Sequence, residues 1–380
     1  MKFLIAPDKF KGSLSAQQVA ENVALGIRDV IENAEIEIAP MADGGEGTAE
    51  AICNARGGKW VTISARGPLG HPIKASYVWL GESAVMEMSE AAGMRRLKNT
   101  VRDVLRANTF GVGEMLLDAA KRGAREIIIG IGGSATNDGG LGMARALGFR
   151  FFGENENEIT DVALLLGLKR IIAPTPQSSP NGRGWRVAPG EDSCRIIAAV
   201  DVKNPLLGQN GATRTFGPQK GATPEQLEIS ERALTHLADI VTRDLGCDFR
   251  NEPGAGAAGG LGFGLMSFCD AKIQPGFEVV AEAVGLEQKI KRANVIITGE
   301  GKLDNQTLEG KTPAGVANLG RKFCKQVFAI VGRAEANSKA RDLFARVYEL
   351  AGPIPEAKEL LRERARELAT ALKGVDAVRG

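Results

Sequence analysis

The chain has 380 residues, 43% of them apolar; single cores stop growing near ~250–300 residues, so two domains are expected and extensive disorder is excluded. Its 48 basic and 46 acidic side chains leave a net charge of +2, which excludes a polybasic surface and with it a nucleic-acid partner. Two histidines, and five scattered cysteines without CxxC spacing, exclude a zinc enzyme or a histidine-based triad and point to reduced thiols.

Phe3-Leu4-Ile5-Ala6 reads as a buried strand. That run is too short for a signal peptide, and no stretch approaches the ~20 apolar residues of a membrane span, so a soluble, cytoplasmic protein is expected. Ser15 with Gln18 forms a capping box for a helix whose apolar stripe is Val19, Val23, Ile27 and Val30. Glu35 to Ala39 is a second strand, with another helix from about Thr48; this alternation implies parallel pairing with right-handed crossovers. Tyr77–Leu80 and Ala84–Met88 flank Gly81-Glu82-Ser83 and read as an antiparallel hairpin, a break that suggests an inserted second domain after about residue 65.

Strands at 126–129, 195–200, 294–297 and 326–331 restore the parallel grammar. Between them, 173–190 is rich in Pro, Ser and Gly and reads as an exposed loop. Thr223-Pro224-Glu225-Gln226 starts a long helix reaching Leu245. After Pro355, Leu361, Ala365, Leu368 and Leu372 share one face of a final packed helix.

Four glycine-dense loops carry acids, amides or hydroxyls: 42–48, 130–140, 253–260 and 298–304. Glycine there exposes backbone N–H groups and admits a close ligand, as phosphates require, and carboxylates beside them suit a hard cation. All but the 253–260 loop follow an apolar run, at the strand ends where open α/β sheets bind ligands. Gly254 to Gly259 satisfies GxGxxG, but the polar residues before it make a poor central strand, and the segment reads instead as the opening of a glycine-rich helix. Gly310-Lys311-Thr312 is not a P-loop, because Asn305 stands where its first glycine belongs.

The segments Ala6 to Ser15, Ala42 to Thr48, Gly130 to Gly140, Asp201 to Leu206, Phe216 to Ala222, Pro253 to Gly260 and Ile297 to Lys311 together resemble the bacterial glycerate kinases, in the family's order. The resemblance implies ATP-dependent phosphorylation of D-glycerate, usually to 2-phosphoglycerate. It also implies an α/β chain of two domains: a flavodoxin-like parallel-sheet domain from both chain ends (1–65 and 290–380) and an inserted α/β domain (66–289). The chain departs from the family at Lys9, commonly serine there, in the stretch before Cys194, and beyond Gly332.

Phosphoryl transfer is mostly positioning and electrostatics, so the expected site is built of glycine loops and cations. Gly132, Gly133, Ser134, Thr136 and Asn137 are expected on the ATP phosphates, and Asp43 and Glu46, with Asp304 behind them, on Mg²⁺. Lys203 and Lys220 are expected to hold negative charge, with Lys11 assisting. Asp201 is the candidate general base and Asp138, otherwise a substrate-binding residue, its rival. The alternatives are a kinase for another small hydroxy acid and a non-catalytic nucleotide or carboxylate sensor. A homo-oligomer is compatible with all three.

Overall fold

The structure, a computed structural model, describes residues 1–97, 102–174, 194–350, 352 and 354–379. From residue 175 on, the Pro/Ser/Gly-rich stretch read as a loop lies outside the described residues.

In chain order the elements begin with β1 (Lys2–Ile5), α1 (Ala16–Arg28), β2 (Glu35–Ile38), α2 (Thr48–Arg56), β3 (Lys59–Arg66), β4 (Pro72–Trp79) and β5 (Ser83–Glu87). There follow α3 (Ser89–Ala92), α4 (Phe110–Lys121), β6 (Glu126–Gly130), α5 (Leu141–Ala146), β7 (Arg150–Phe152), β8 (Arg170–Ile172), β9 (Arg195–Val200) and α6 (Ala212–Phe216). The chain continues through α7 (Pro224–Leu245), α8 (Ala257–Cys269), β10 (Lys272–Pro275), α9 (Gly276–Ala283), α10 (Leu286–Arg292), β11 (Val295–Thr298) and β12 (Lys302–Leu303). It ends with α11 (Thr312–Lys322), β13 (Gln326–Val331), β14 (Arg333–Ala334), β15 (Arg346–Glu349) and α12 (Ala357–Arg379).

The chain forms two compact units: Met1–Asp43 with Glu50–Arg56 and Pro275–Gly380, and Gly44–Ala49 with Gly57–Gln274. In the first, a five-stranded sheet runs β15-β13-β11-β1-β2, all parallel. Numbered along the chain this is the 2-1-3-4-5 order of flavodoxin-like sheets. Phe3, Leu4 and Ile5 are all fully buried, as a strand covered on both faces requires. The Ser15 hydroxyl accepts from Gln18 N at 3.3 Å while the Gln18 amide accepts from Ser15 N at 3.1 Å, fixing the start of α1. Val19, Val23 and Ile27 then turn into the same core as Leu361, Ala365 and Leu368 of α12. The two helices meet at Gly26, where a Cβ would lie 2.3 Å from the Arg362 carbonyl oxygen.

The second unit holds a six-stranded sheet, β10-β9-β6-β5-β4-β3. β3, β4 and β5 are antiparallel neighbours, and β5, β6 and β9 run parallel. The expected hairpin is therefore β4–β5, with Val78 opposite Val85. β3 is an additional strand whose signal is the alternation in Trp60-Val61-Thr62-Ile63-Ser64. Thr223 and Gln226 form the second capping box, at the start of α7. The glycine-rich helix α8 opens differently from expectation: Ala258, Gly259 and Gly260 are left-handed, so regular helix begins only after them.

Candidate functional site

In the second unit the site is built on the β6 end. A Cβ on Gly130 would sit 2.5 Å from the Gly44 carbonyl oxygen, and one on Gly132 2.8 Å from Gly45 Cα. The 130–140 loop and the Gly44–Thr48 loop thus stack backbone on backbone, and glycine is required at both positions because a side chain would separate them. Glu87, buried at the end of β5, accepts from the N–H groups of Gly47 at 2.9 Å and Ala49 at 3.1 Å, placing a carboxylate at the start of α2. Glu46 lies beside Gly133, whose Cβ would be 3.4 Å from the Glu46 carboxylate. Gly132, Gly133, Ser134 and Glu46 are thereby brought together.

The far half of the loop is held by the protein itself. Asp138 is fully buried and accepts from Thr109 N at 2.8 Å, Thr109 Oγ1 at 2.9 Å, Gly142 N at 3.0 Å and Gly140 N at 3.2 Å. Burial pushes its carboxyl upward, against the pull of those bonds. Asn137 Nδ2 donates to Thr213 Oγ1 at 3.0 Å, and the Thr136 carbonyl accepts from Lys220 Nζ at 2.7 Å. Lys220 is 2% exposed; burial brings its ammonium down to about 7, with the Asp138 charge opposing. Gly259, at φ +71°, packs so closely that a Cβ would reach within 2.0 Å of the Thr136 carbonyl oxygen.

β9 lies beside β6, with Ala199 paired to Gly130, so Asp201 and Lys203 leave the sheet next to the glycine loop. Both are exposed. The following Asn204 carbonyl accepts from Gly256 N at 2.9 Å, which ties this turn to the start of α8.

In the first unit, acids follow the ends of three adjacent strands: Asp43 after β2, Asp8 after β1, and Glu300 after β11. Asp8 is buried, accepts from Thr312 Oγ1 at 2.8 Å and from its neighbour Lys9 N at 2.7 Å. Burial, reinforced by the charge of Asp43, pushes Asp8 up to about 7. Glu300, which accepts from Thr307 Oγ1 at 2.6 Å, is likewise raised to about 7 by burial, with Asp304 and Asp43 adding to it. Asp304 caps the next turn through Gln306 N and pairs with Lys302 at 2.9 Å and Lys311 at 3.8 Å. Its burial is outweighed by those lysines, and its carboxyl is held low. Lys11 is exposed on the loop after β1. Among the described residues no three His, Cys, Asp or Glu side chains are arranged to hold a metal ion.

Asp8 and Glu300 were not singled out from sequence. Their signal is positional: each follows a buried strand by a few residues, but neither threonine partner is visible without the fold.

Glycine loops at the carboxyl ends of parallel strands, with carboxylates and lysines around them, define an α/β protein of the phosphate-handling class. The model of the glycerate kinase family matches residues 3–378. The chain is 40% identical over 377 residues to a glycerate kinase of Halalkalibacterium halodurans, covering 96% of this chain and 97% of that one. It is 42% identical over 338 residues to the glycerate 2-kinase of Escherichia coli, covering 87% and 85%. A solved chain from Salmonella typhimurium LT2, designated glycerate kinase 2, superposes with a TM-score of 0.86 at 40% identity, covering 99% of each. This chain belongs to the glycerate kinase family and is an enzyme of that family. Among the described residues no helix is long and apolar enough to cross a membrane.

Proposed function

We propose that the protein transfers the γ-phosphoryl group of ATP to the 2-hydroxyl of D-glycerate, giving 2-phosphoglycerate and ADP. The observation that carries this reading is the loop at Gly132–Ser134, without side chains at Gly132 and Gly133 and stacked on a second glycine loop at a strand end. In the reaction the hydroxyl oxygen forms the new P–O bond, the bond from γ-phosphorus to the ADP oxygen breaks, and the hydroxyl proton passes to a base.

The N–H groups of Gly132, Gly133 and Ser134 take the nucleotide phosphates in this reading. Thr136, Asp138 and Lys220 contribute by holding that loop, being buried against protein partners; Asn137 is held there through its Nδ2, while its buried Oδ1 has no partner among the described residues. Asp201, exposed beside the loop, takes the hydroxyl proton, and Lys203 balances charge on the transferring group. Lys11 assists from its own loop. Asp43 is the principal candidate for Mg²⁺, with Glu46 through water; Asp304 is the weaker one, its carboxylate already holding two lysines. Magnesium is usually held by one or two carboxylates plus substrate phosphates, so oxygen donors without a three-acid cage fit it. Bound there, it would neutralise phosphate charge.

The test is ADP release from MgATP with and without D-glycerate, with the product's regiochemistry read by ³¹P NMR. Release with a different hydroxy acid only would make this a kinase for that acid. Release with none would make it a sensor.

A further inference from the structure

The edge of the Gly132–Ser134 segment is lined by residues that the phosphate reading leaves unused. Residues 89–95 run along it: Met94 N donates to the Gly133 carbonyl at 3.0 Å, and Ala135 N donates to the Ala92 carbonyl at 2.9 Å. Ser89 is 1% exposed, and its Oγ has no hydrogen-bond partner among the described residues. A buried hydroxyl left unpaired is costly, and such a group in a native fold calls for an explanation such as a ligand. A Cβ on Gly133 would lie 3.7 Å from Ser89 Cβ, an ordinary van der Waals contact, so Ser89 borders the glycine loop directly.

Arg95 lies over Ser89, its Nε donating to the Ser89 carbonyl at 3.3 Å. It pairs with Glu90, which Arg96 also holds at 2.9 Å, and stands 3.9 Å from Glu46. Glu90 is therefore shared between two guanidiniums, and Glu46 is beyond hydrogen-bond distance of Arg95. Arg95 Nη1 has no partner among the described residues, and the side chain is 41% exposed. A half-exposed guanidinium with donors to spare, above an unpaired hydroxyl, matches a planar oxyanion.

We propose that Arg95 and Ser89 form the subsite for the carboxylate of the hydroxy-acid substrate, Arg95 swinging from Ser89 onto the carboxylate and the uncovered Ser89 hydroxyl donating to it. This rests on the reading of the protein as a hydroxy-acid kinase. The same chemistry could seat a nucleotide phosphate, and the steady-state constants of the two substrates separate these sources.

Ser89→Ala removes no bond present in the protein, so its melting temperature should equal or exceed that of the wild type. Its KM for D-glycerate should rise on the order of 3- to 10-fold, and that of Arg95→Met on the order of 10- to 100-fold, with the KM for MgATP unchanged in both. Arg95→Lys, which keeps the charge and loses the fork, should fall between wild type and Arg95→Met. If both variants keep the wild-type KM for glycerate, the subsite is wrong. If the KM for MgATP rises instead, the oxyanion is a nucleotide phosphate and the carboxylate assignment is overturned. Should the wild type leave D-glycerate unphosphorylated, the underlying function fails, and the same comparison is made with the hydroxy acid it does phosphorylate or, for a sensor, by calorimetric titration with D-glycerate.

Discussion

The buried ammonium of Lys220 donates to the main-chain carbonyl of Thr136 at 2.7 Å, across 84 residues of sequence. This bond fixes the middle of the glycine loop from behind, and its donor titrates near neutrality. Burial holds Lys220 at about 7, against 10.5 for an ordinary lysine. As pH falls between those values the unfolded chain takes up a proton that the folded chain refuses, and stability is lost; above that window the contribution is intact. Lys220→Met removes the titration. The stability difference between wild type and variant should therefore shift in favour of the wild type from pH 7 to pH 10, by on the order of a few kcal/mol. Urea midpoints across that range measure it, and parallel profiles would refute the assignment.

Gly259 is predicted to be intolerant of any side chain. A Cβ there meets the Thr136 carbonyl oxygen at 2.0 Å, and its φ is +71°. Left-handed strain and overpacking together should make Gly259→Ala less stable by about 2–5 kcal/mol. Gly246, also left-handed at φ +69° but with nothing within 4 Å, gives the control: Gly246→Ala should cost only about 1–2 kcal/mol. Equal losses at the two positions would show that the loop yields to α8.

Asp201→Asn keeps the shape of the side chain but cannot accept a proton at neutral pH. Turnover should fall about 10²- to 10⁴-fold, while MgATP binding measured by calorimetry is retained. A near-normal kcat would move the base elsewhere. Asp138 is then a poor replacement as it stands, because four donors already occupy its carboxylate. Lost nucleotide binding would instead make Asp201 a metal ligand.

Removal of divalent metal should abolish activity and Mg²⁺ restore it, since the acids at the strand ends offer oxygen donors only. Asp43→Asn should weaken MgATP binding and turnover together. Activity undiminished in EDTA, or a requirement for bound zinc, would contradict both expectations.

Much of the fold was legible because its signals are local. The capping boxes at Ser15 and Thr223, the apolar runs of β1, β6, β9, β11 and β13, and the stripe of α12 each lie within one element. β3 and β15 were missed, since half-exposed alternation over a few residues is weak evidence for a strand. The glycine loops stood out because they hold more glycines than a turn needs. Whether a charged residue in such a loop faces ligand or interior depends on distant chain. Asp138 and Lys220 read as ligand groups, yet Thr109 and Thr136 enclose them. Asp8 drew no notice because Thr312 stands 304 residues away, and Ser89 because nothing in a sequence reveals a hydroxyl lacking a partner.

The placement of β1 between β2 and β11 sets a schedule for synthesis. Ile5 is made first, but its neighbour Ile297 leaves the ribosome only after the whole second unit has been translated. At ~5–20 residues per second, an apolar strand waits roughly 15–60 s with one edge unpaired. The inserted unit, whose strands are all available by then, can fold during that interval, whereas the first cannot close until α12 is released from the ribosome and settles against α1. Premature termination anywhere in the last helix would therefore leave a folded second unit carrying an incomplete first one, a species for chaperones and proteases to clear.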